Sequence, residues 1–389
     1  MNRLRVMLAA ATVAAIAGGG LTTVGVGQTE KRPSSSGGSA PSGRGGSLDP
    51  PTTAQAEIHV LPVRGNVYML VGAGANITAS VGKDGVLVVD TGAAPMADKV
   101  IAVLNELASR VNSSSAPAKP CAGAGCTGLT APTFLATIAS PAPPKPISYI
   151  INTHLHGDHT GGNGKMAEAG RIFGGGPGLG GALARENAMI IAHENVLLGM
   201  SADSKKTTGQ GANLFAPSAG GLPTETFYGN EFRMNFFNGE GVVMYHQPAA
   251  HTDGDSLVFF RGSDVISAGD VFVMTSYPVI DLEHGGSIQG VIDGLNRILE
   301  LAVAEYQTEG GTMIVPGHGR LADSADVAYY RDMVTIIRDR VRAAIGEGKT
   351  LEQMKAARLS KDYDPRFGRN PSWTGAMFVE AIYRSLSKK

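Results

Sequence analysis

The 389-residue chain is poor in cysteine, with two, and has almost no net charge, with 33 basic against 34 acidic side chains. Two cysteines with no histidine near them make a thiolate metal site a weak reading. The balanced charge, with no basic block and no alternation of aromatic and basic residues, gives no phosphate-binding surface and weighs against nucleic acid as a partner. A long apolar run is missing as well. The N-terminal one, Val6 to Ala17, is too short to span a bilayer comfortably. No cysteine stands near its end for a lipid anchor. Arg3 and Arg5 precede it and Ala15-Ile16-Ala17 closes it, so residues 1–27 read as a cleaved secretory signal. The expectation is a periplasmic or secreted protein, with no stable membrane span once mature.

What the chain does contain is a dense cluster of metal-binding side chains. His154, His156, Asp158 and His159 fall within six residues as H-x-H-x-D-H. In an extended segment His154 and His156 project to one side. Gly157 then allows a sharp turn before Asp158 and His159. Two pairs of ligands can thus point at two neighbouring points, the geometry of a two-metal hydrolytic site. Three further candidates, His251, Asp270 and His318, each follow or end an apolar run beside small residues or proline, as residues at strand ends do. Of nine histidines, these motifs take five. His59, His193, His246 and His284 read as structural or surface residues, with His193 opening a helix. Asp253 and Asp255 read as turn and cap residues.

The rest of the chain organises around that cluster. Residues 28–56 are rich in Ser, Gly, Pro and Thr and read as a disordered linker. A main domain follows over 57–346. Its strands are expected at 58–61, 67–71, 77–81, 86–89, 232–237, 242–245, 256–260 and 265–267. Helices are expected at 95–110, at 287–301 with Ser287 as N-cap, at 327–345 ending at Gly346, and at 374–385. An Ala/Pro/Ser/Gly-rich insertion, 112–146, holds Cys121 and Cys126. A small-loop disulfide is its leading reading in an exported protein. A second, glycine-rich insertion spans 174–181. Residues 347–389 form a helical extension.

These motifs, with Val88-Val89-Asp90-Thr91-Gly92 before them, resemble the ordered motif set of the metallo-β-lactamase superfamily from about Ile58 to about Leu321. The resemblance implies an α/β fold, the four-layer αββα sandwich, with the metal site where strand-end loops converge. It implies that His154, His156 and His251 hold one metal, that Asp158, His159 and His318 hold a second, and that Asp270 bridges them. Asp90 would support a ligand histidine. Asp158 and His318 are the expected catalytic residues, with Asp158 orienting the attacking water. Two zinc ions suit these ligands, and iron or manganese also fit.

The resemblance does not choose a substrate. The expectation is metal-assisted hydrolysis of a small molecule, a cyclic amide or ester such as a β-lactam or lactone. Zinc β-lactamases commonly place cysteine or serine where Asp270 stands. One large group has a lysine three residues later, here Val273, to grip the substrate carboxylate. The segment 275–286 should overhang the site, with Tyr277, Asp281, Glu283 and His284 within reach of substrate, although solvation is the ordinary role of each. The alternatives are a thioester hydrolase, a di-iron oxidoreductase or a non-catalytic metal-binding protein. No flavin-binding segment follows the domain, and the full ligand set argues against the last.

Overall fold

The computed structural model describes residues 56–113, 146–172, 187–206, 220–302 and 310–387. They belong to one compact unit, Pro50–Lys389. The expected signal segment, all of the linker but Ala56, the first insertion over 114–145 with its two cysteines, and the second insertion lie outside the described residues.

One sheet begins as an antiparallel meander, β1 (His59–Arg64), β2 (Val67–Ala73), β3 (Ala75–Gly82) and β4 (Gly85–Val89). It continues in parallel through β5 (Ile147–Ile151), β6 (Met189–His193) and β7 (Glu225–Phe227). The second sheet holds β8 (Glu231–Arg233), β9 (Val242–His246), β10 (Ser256–Phe260) and β11 (Val265–Ser267), antiparallel, with β12 (Met313–Val315) parallel to β11. Helices α1 (Ala97–Ser113), α2 (Gly157–Thr160), α3 (Asn163–Glu168) and α4 (Glu194–Lys206) belong to the first half. Helices α5 (Ile288–Leu301), α6 (Ser324–Gly346), α7 (Leu351–Ala356), α8 (Asp364–Phe367) and α9 (Gly375–Ser387) belong to the second.

Side-chain alternation along the strands makes the layers. In β4, Val86 and Val88 pack outward on Val100 and Leu104 of α1. Leu87 and Val89 point inward to Val258 and Phe260 of β10 and Val315 of β12. In β11, Val265 faces that same central core, and Ile266 packs outward with Leu295 of α5 and Tyr330 of α6. Helix, sheet, sheet, helix is the expected αββα sandwich. Three separate apolar layers hold it together.

Most expected elements form where local chemistry placed them. Ser287 caps α5, its hydroxyl accepting the Gly290 N–H at 2.9 Å. Helix α6 starts earlier than expected, because Asp323 and Asp326 close a reciprocal capping box. The strand expected over 232–237 is shorter, β8, and a turn with Asn238 at φ 52° and Gly239 at φ 83° replaces its end. Among the described residues, no helix is long and apolar enough to cross a membrane.

His193 closes β6 rather than opening a helix, and α4 begins at Glu194. Its ring stacks on His246 at 3.6 Å between centroids, and its Nδ1 accepts the Asn195 N–H at 3.3 Å. Burial, then the neighbouring His246, pull its pKa down to about 4. Between pH 6.5 and 4 the unfolded chain binds a proton there that the folded chain refuses. Stability therefore falls as pH drops through that window and levels off below it. Thermal unfolding of the metal-free protein across this range should show that slope, and His193→Phe should flatten it. Parallel slopes for the two proteins would refute the assignment.

Candidate metal centre

The site collects at the ends of strands from both sheets. Asp90 follows β4, residues 154–159 follow β5, His251 follows β9, Asp270 follows β11 and His318 follows β12. His154 and His156 were expected on an extended segment. They lie instead in the loop 152–156, with His156 as the N-cap of α2. Gly157 is the first residue of that helix rather than a sharp turn, and α2 itself carries Asp158 and His159. The loop leaves the sheet because its backbone bonds are made elsewhere. The Thr153 N–H donates to Asp90 Oδ1 at 2.8 Å, and Thr153 O accepts the Ser256 N–H at 2.8 Å.

Asp90 organises two imidazoles at once. It is buried, in left-handed backbone at φ 64°. Its Oδ2 accepts the Thr153 hydroxyl at 2.8 Å and the His159 Nδ1–H at 2.7 Å. The Thr153 hydroxyl, its proton committed to Asp90, accepts the His154 Nδ1–H at 3.0 Å. His251 donates its Nδ1–H to Val279 O at 2.8 Å, and His156 donates its Nε2–H to Asp281 Oδ2 at 2.9 Å. Each of the four rings can therefore send one N–H outward and turn its other nitrogen inward, toward a cation. His251 Nε2 and His156 Nδ1 face each other at 2.9 Å.

All seven residues singled out in the sequence converge here. His154, His156 and His251 bring their ligand atoms within 4.8 Å of one another, and so do Asp158, His159 and His318. A third such group, His154, His159 and Asp270, joins the two. Asp270 Oδ1 is 3.2 Å from His159 Nε2 and 3.5 Å from His318 Nε2. Its Oδ2 turns the other way, 3.9 Å from His251 Nε2. Asp158 Oδ2 stands 3.2 Å from His318 Nε2. Gly317 lets the chain pass, since a Cβ there would fall 2.0 Å from Asp270 Oδ1, and a Cβ on Gly286 would fall 2.2 Å from His251 O.

A cation fits this arrangement. His154 Nε2, His159 Nε2 and Asp270 Oδ1 are buried with no hydrogen-bond partner. Polar atoms buried without partners are costly unless an ion takes them. The donors are imidazole nitrogen and carboxylate oxygen without thiolate, which suits divalent ions. The charges agree. Burial, then neighbouring imidazoles, hold His154 well below its ordinary value and bring His251 to about 4. Both are neutral and ready to ligate. Burial opposes charge on His318 as well, yet the Asp270 and Asp158 carboxylates push it up to about 9. His159 rises well above its usual range against burial, through Asp270 and Asp90. Asp158 falls to about 2 against burial, through His318 and His159. A field that draws protons onto His159 and His318 also favours a metal cation between them.

The segment 275–286 was expected over the site, but the bond from Asp281 to His156 was not foreseen. Asp281 Oδ2 accepts not only His156 but also the His284 Nδ1–H at 2.6 Å, and His284 Nε2 stands 3.2 Å from Asp203 Oδ2 of α4. Asp281 Oδ1 accepts the backbone N–H groups of Glu283 and His284 at 3.0 and 3.1 Å. Despite burial, the bonds from His156 and His284 hold the Asp281 carboxyl well below the usual range. The local signal was only an Asp three residues before a His. Tyr277 is corrected the other way. It is buried against the C-terminal helices, stacked on Phe378 at 4.9 Å, and does not line the cleft. Replacing Asp281 with Asn is expected to weaken binding of a metal ion at His156 by about 10- to 100-fold, as loss of such outer partners does. Chelator competition would read this, and an unchanged affinity would refute it.

Beside the cluster opens a cleft of about 660 Å³, lined among others by Leu155, Val273, Thr275, Ser276, Val279, Glu283 and Asn370.

The family model of the metallo-beta-lactamase superfamily matches residues 65–318, and the chain belongs to that superfamily. It carries the superfamily's fold and a histidine-rich cluster able to hold metal ions. Among solved structures, a stereoselective inverting sec-alkylsulfatase from Pseudomonas sp. is similar at 16% identity and TM-score 0.51, over 85% of this chain and 51% of that one. A double mutant of a sec-alkyl sulfatase gives 16% and 0.52, over 86% and 51%. A metallo-beta-lactamase from Pontibacter korlensis gives 13% and 0.43, over 72% and 99%. At such identities the sulfatase structures speak for the fold alone, and this chain spans about half of their length. No curated protein matches it.

Proposed function

We propose that the protein is an exported binuclear zinc hydrolase that opens an uncharged cyclic ester or amide, a lactone in preference to a β-lactam. The wall of the cleft carries this reading. It presents aliphatic groups (Leu155, Val273, Val279), hydroxyls (Thr275, Ser276) and carboxylates, and among the described residues no lysine or arginine lines it. The His284 ring, which also lines it, is held between Asp281 and Asp203. The carboxylate of a β-lactam, or a sulfate ester, calls for a fixed cationic partner. A lactone does not. Val273 stands where the resemblance would have placed such a lysine. The export signal read in residues 1–27 and the imidazole-rich donor set support the location and the metal.

His154, His156 and His251 would hold one ion and Asp158, His159 and His318 the other, with Asp270 facing both. Two such ions would supply a Lewis acid and a water of lowered pKa. Asp158, ionised, would orient the attacking water by accepting its hydrogen bond, with His318 Nε2 beside it at 3.2 Å. The aliphatic wall excludes bulk water from the substrate ring.

The test compares hydrolysis of δ-valerolactone, followed by a pH indicator, with that of a chromogenic β-lactam. It uses zinc-loaded protein beginning at residue 50, with His156→Ala as control. Faster metal-dependent turnover of the lactone is expected. A faster β-lactam reaction, or no lactone turnover, would sink the proposal.

A further inference from the structure

We propose that Asn370, in the C-terminal extension beyond the superfamily match, contacts the substrate, its side-chain amide donating a hydrogen bond to an oxygen of the substrate's body. The inference rests on reading the cleft as the substrate site.

The superfamily match ends at residue 318. Asn370 lies between α8 and α9, yet it lines the same cleft as His156, Asp158 and His318. Its own turn sets the amide. Oδ1 accepts the Ser372 N–H at 2.9 Å, and the backbone oxygen accepts the Trp373 N–H at 3.0 Å. With the oxygen engaged, Nδ2 is left as a donor, and no described residue pairs with it. Of the remaining described wall, Asp203 and Glu283 are acceptors and the Ser276 hydroxyl donates to Tyr277 O at 3.0 Å, which leaves the Thr275 hydroxyl as the other uncharged donor. A free amide donor complements an uncharged, oxygen-bearing substrate.

The turn is also fixed relative to the metal cluster. Trp373 Nε1–H donates to Tyr277 O at 3.1 Å, and the Tyr277 N–H donates to Phe367 O at 3.2 Å. The Tyr277 hydroxyl reaches Asp364 Oδ1 at 2.9 Å, and the Tyr330 hydroxyl donates to Ser276 O at 3.0 Å. Two residues beyond Tyr277, Val279 O holds the His251 imidazole. Asn370 and His251 are thus braced by one loop, the support that a substrate-positioning group needs.

The experiment uses the full metal-loaded protein and the variants Asn370→Ala and Asn370→Asp. The aspartate keeps the turn's acceptor and replaces the donor with an anion. For δ-valerolactone, KM should rise about three- to tenfold, the worth of one hydrogen bond, with kcat within about twofold and the metal content unchanged. A loss at least as large is expected for the aspartate. Unchanged KM in both variants overturns the proposal, and so does a fall confined to kcat or metal content. If the wild type does not turn over the lactone, that reading of function fails by itself. Calorimetric binding of δ-valerolactam then decides for Asn370. Weaker binding by the variants upholds its role, and equal binding, including none by any of the proteins, overturns it.

Discussion

Asp270→Ala is expected to lower turnover by about three orders of magnitude and to leave the protein with fewer than two bound metal ions. The carboxylate is the one ligand group whose two oxygens face opposite sides of the cluster, Oδ1 toward His159 and His318 and Oδ2 toward His251. Among the described residues, alanine removes the one acidic group that lies among the imidazoles of both subsites. His159 and His318 would each lose the neighbour that does most to offset burial. A metal ion contributes several kcal/mol to the transition state, and about 1.4 kcal/mol is a factor of ten in rate. Steady-state kinetics beside elemental analysis check this. A variant that kept both ions and lost less than tenfold would show that Asp270 does not link the two subsites.

Asp90→Ala is expected to cost about 3–5 kcal/mol of stability, the loss seen when one member of a buried charged network is removed. The residue touches no substrate. Its carboxylate receives the Thr153 N–H, the Thr153 hydroxyl and the His159 Nδ1–H, all buried. Truncation leaves three donors without a partner and frees the His159 ring to turn. Urea unfolding of the metal-free protein isolates the effect, and Asp90→Asn, which keeps the shape and part of the bonding, should fall in between. A loss below about 1 kcal/mol for alanine would mean that the donors find other partners.

The sandwich was legible in the sequence because strand alternation and helix caps are local. Leu87 and Val89 point one way and Val86 and Val88 the other whatever lies beyond them. The seven clustered residues were legible because H-x-H-x-D-H is dense and the remaining three stand at strand ends. The path of the chain through His154 and His156 was not. Their loop is shaped by bonds to Asp90 and Ser256, which are far off in sequence, and those bonds override the extended geometry that the alternation suggested. The link from His156 through Asp281 and His284 to Asp203 was invisible for the same reason. Asp281 and His284 read as residues of a loop over the site with an ordinary solvated role, and only the fold brings α4 against them. Asn370 carried no local signal at all.

Gly317 and Gly286 bear no reactive atom, yet each occupies space that a Cβ would take from a neighbour in the cluster, Asp270 Oδ1 in one case and His251 O in the other. In a saturation mutagenesis screen scored by activity, both positions should therefore be as intolerant as the histidines. A map of essential residues drawn from such a screen would overstate the chemistry of the site. Glycine tolerates no larger side chain at these two positions, whereas a lost ligand can be answered by another donor of similar length. That difference, rather than the severity of the loss, would separate the residues that react from those that only make room.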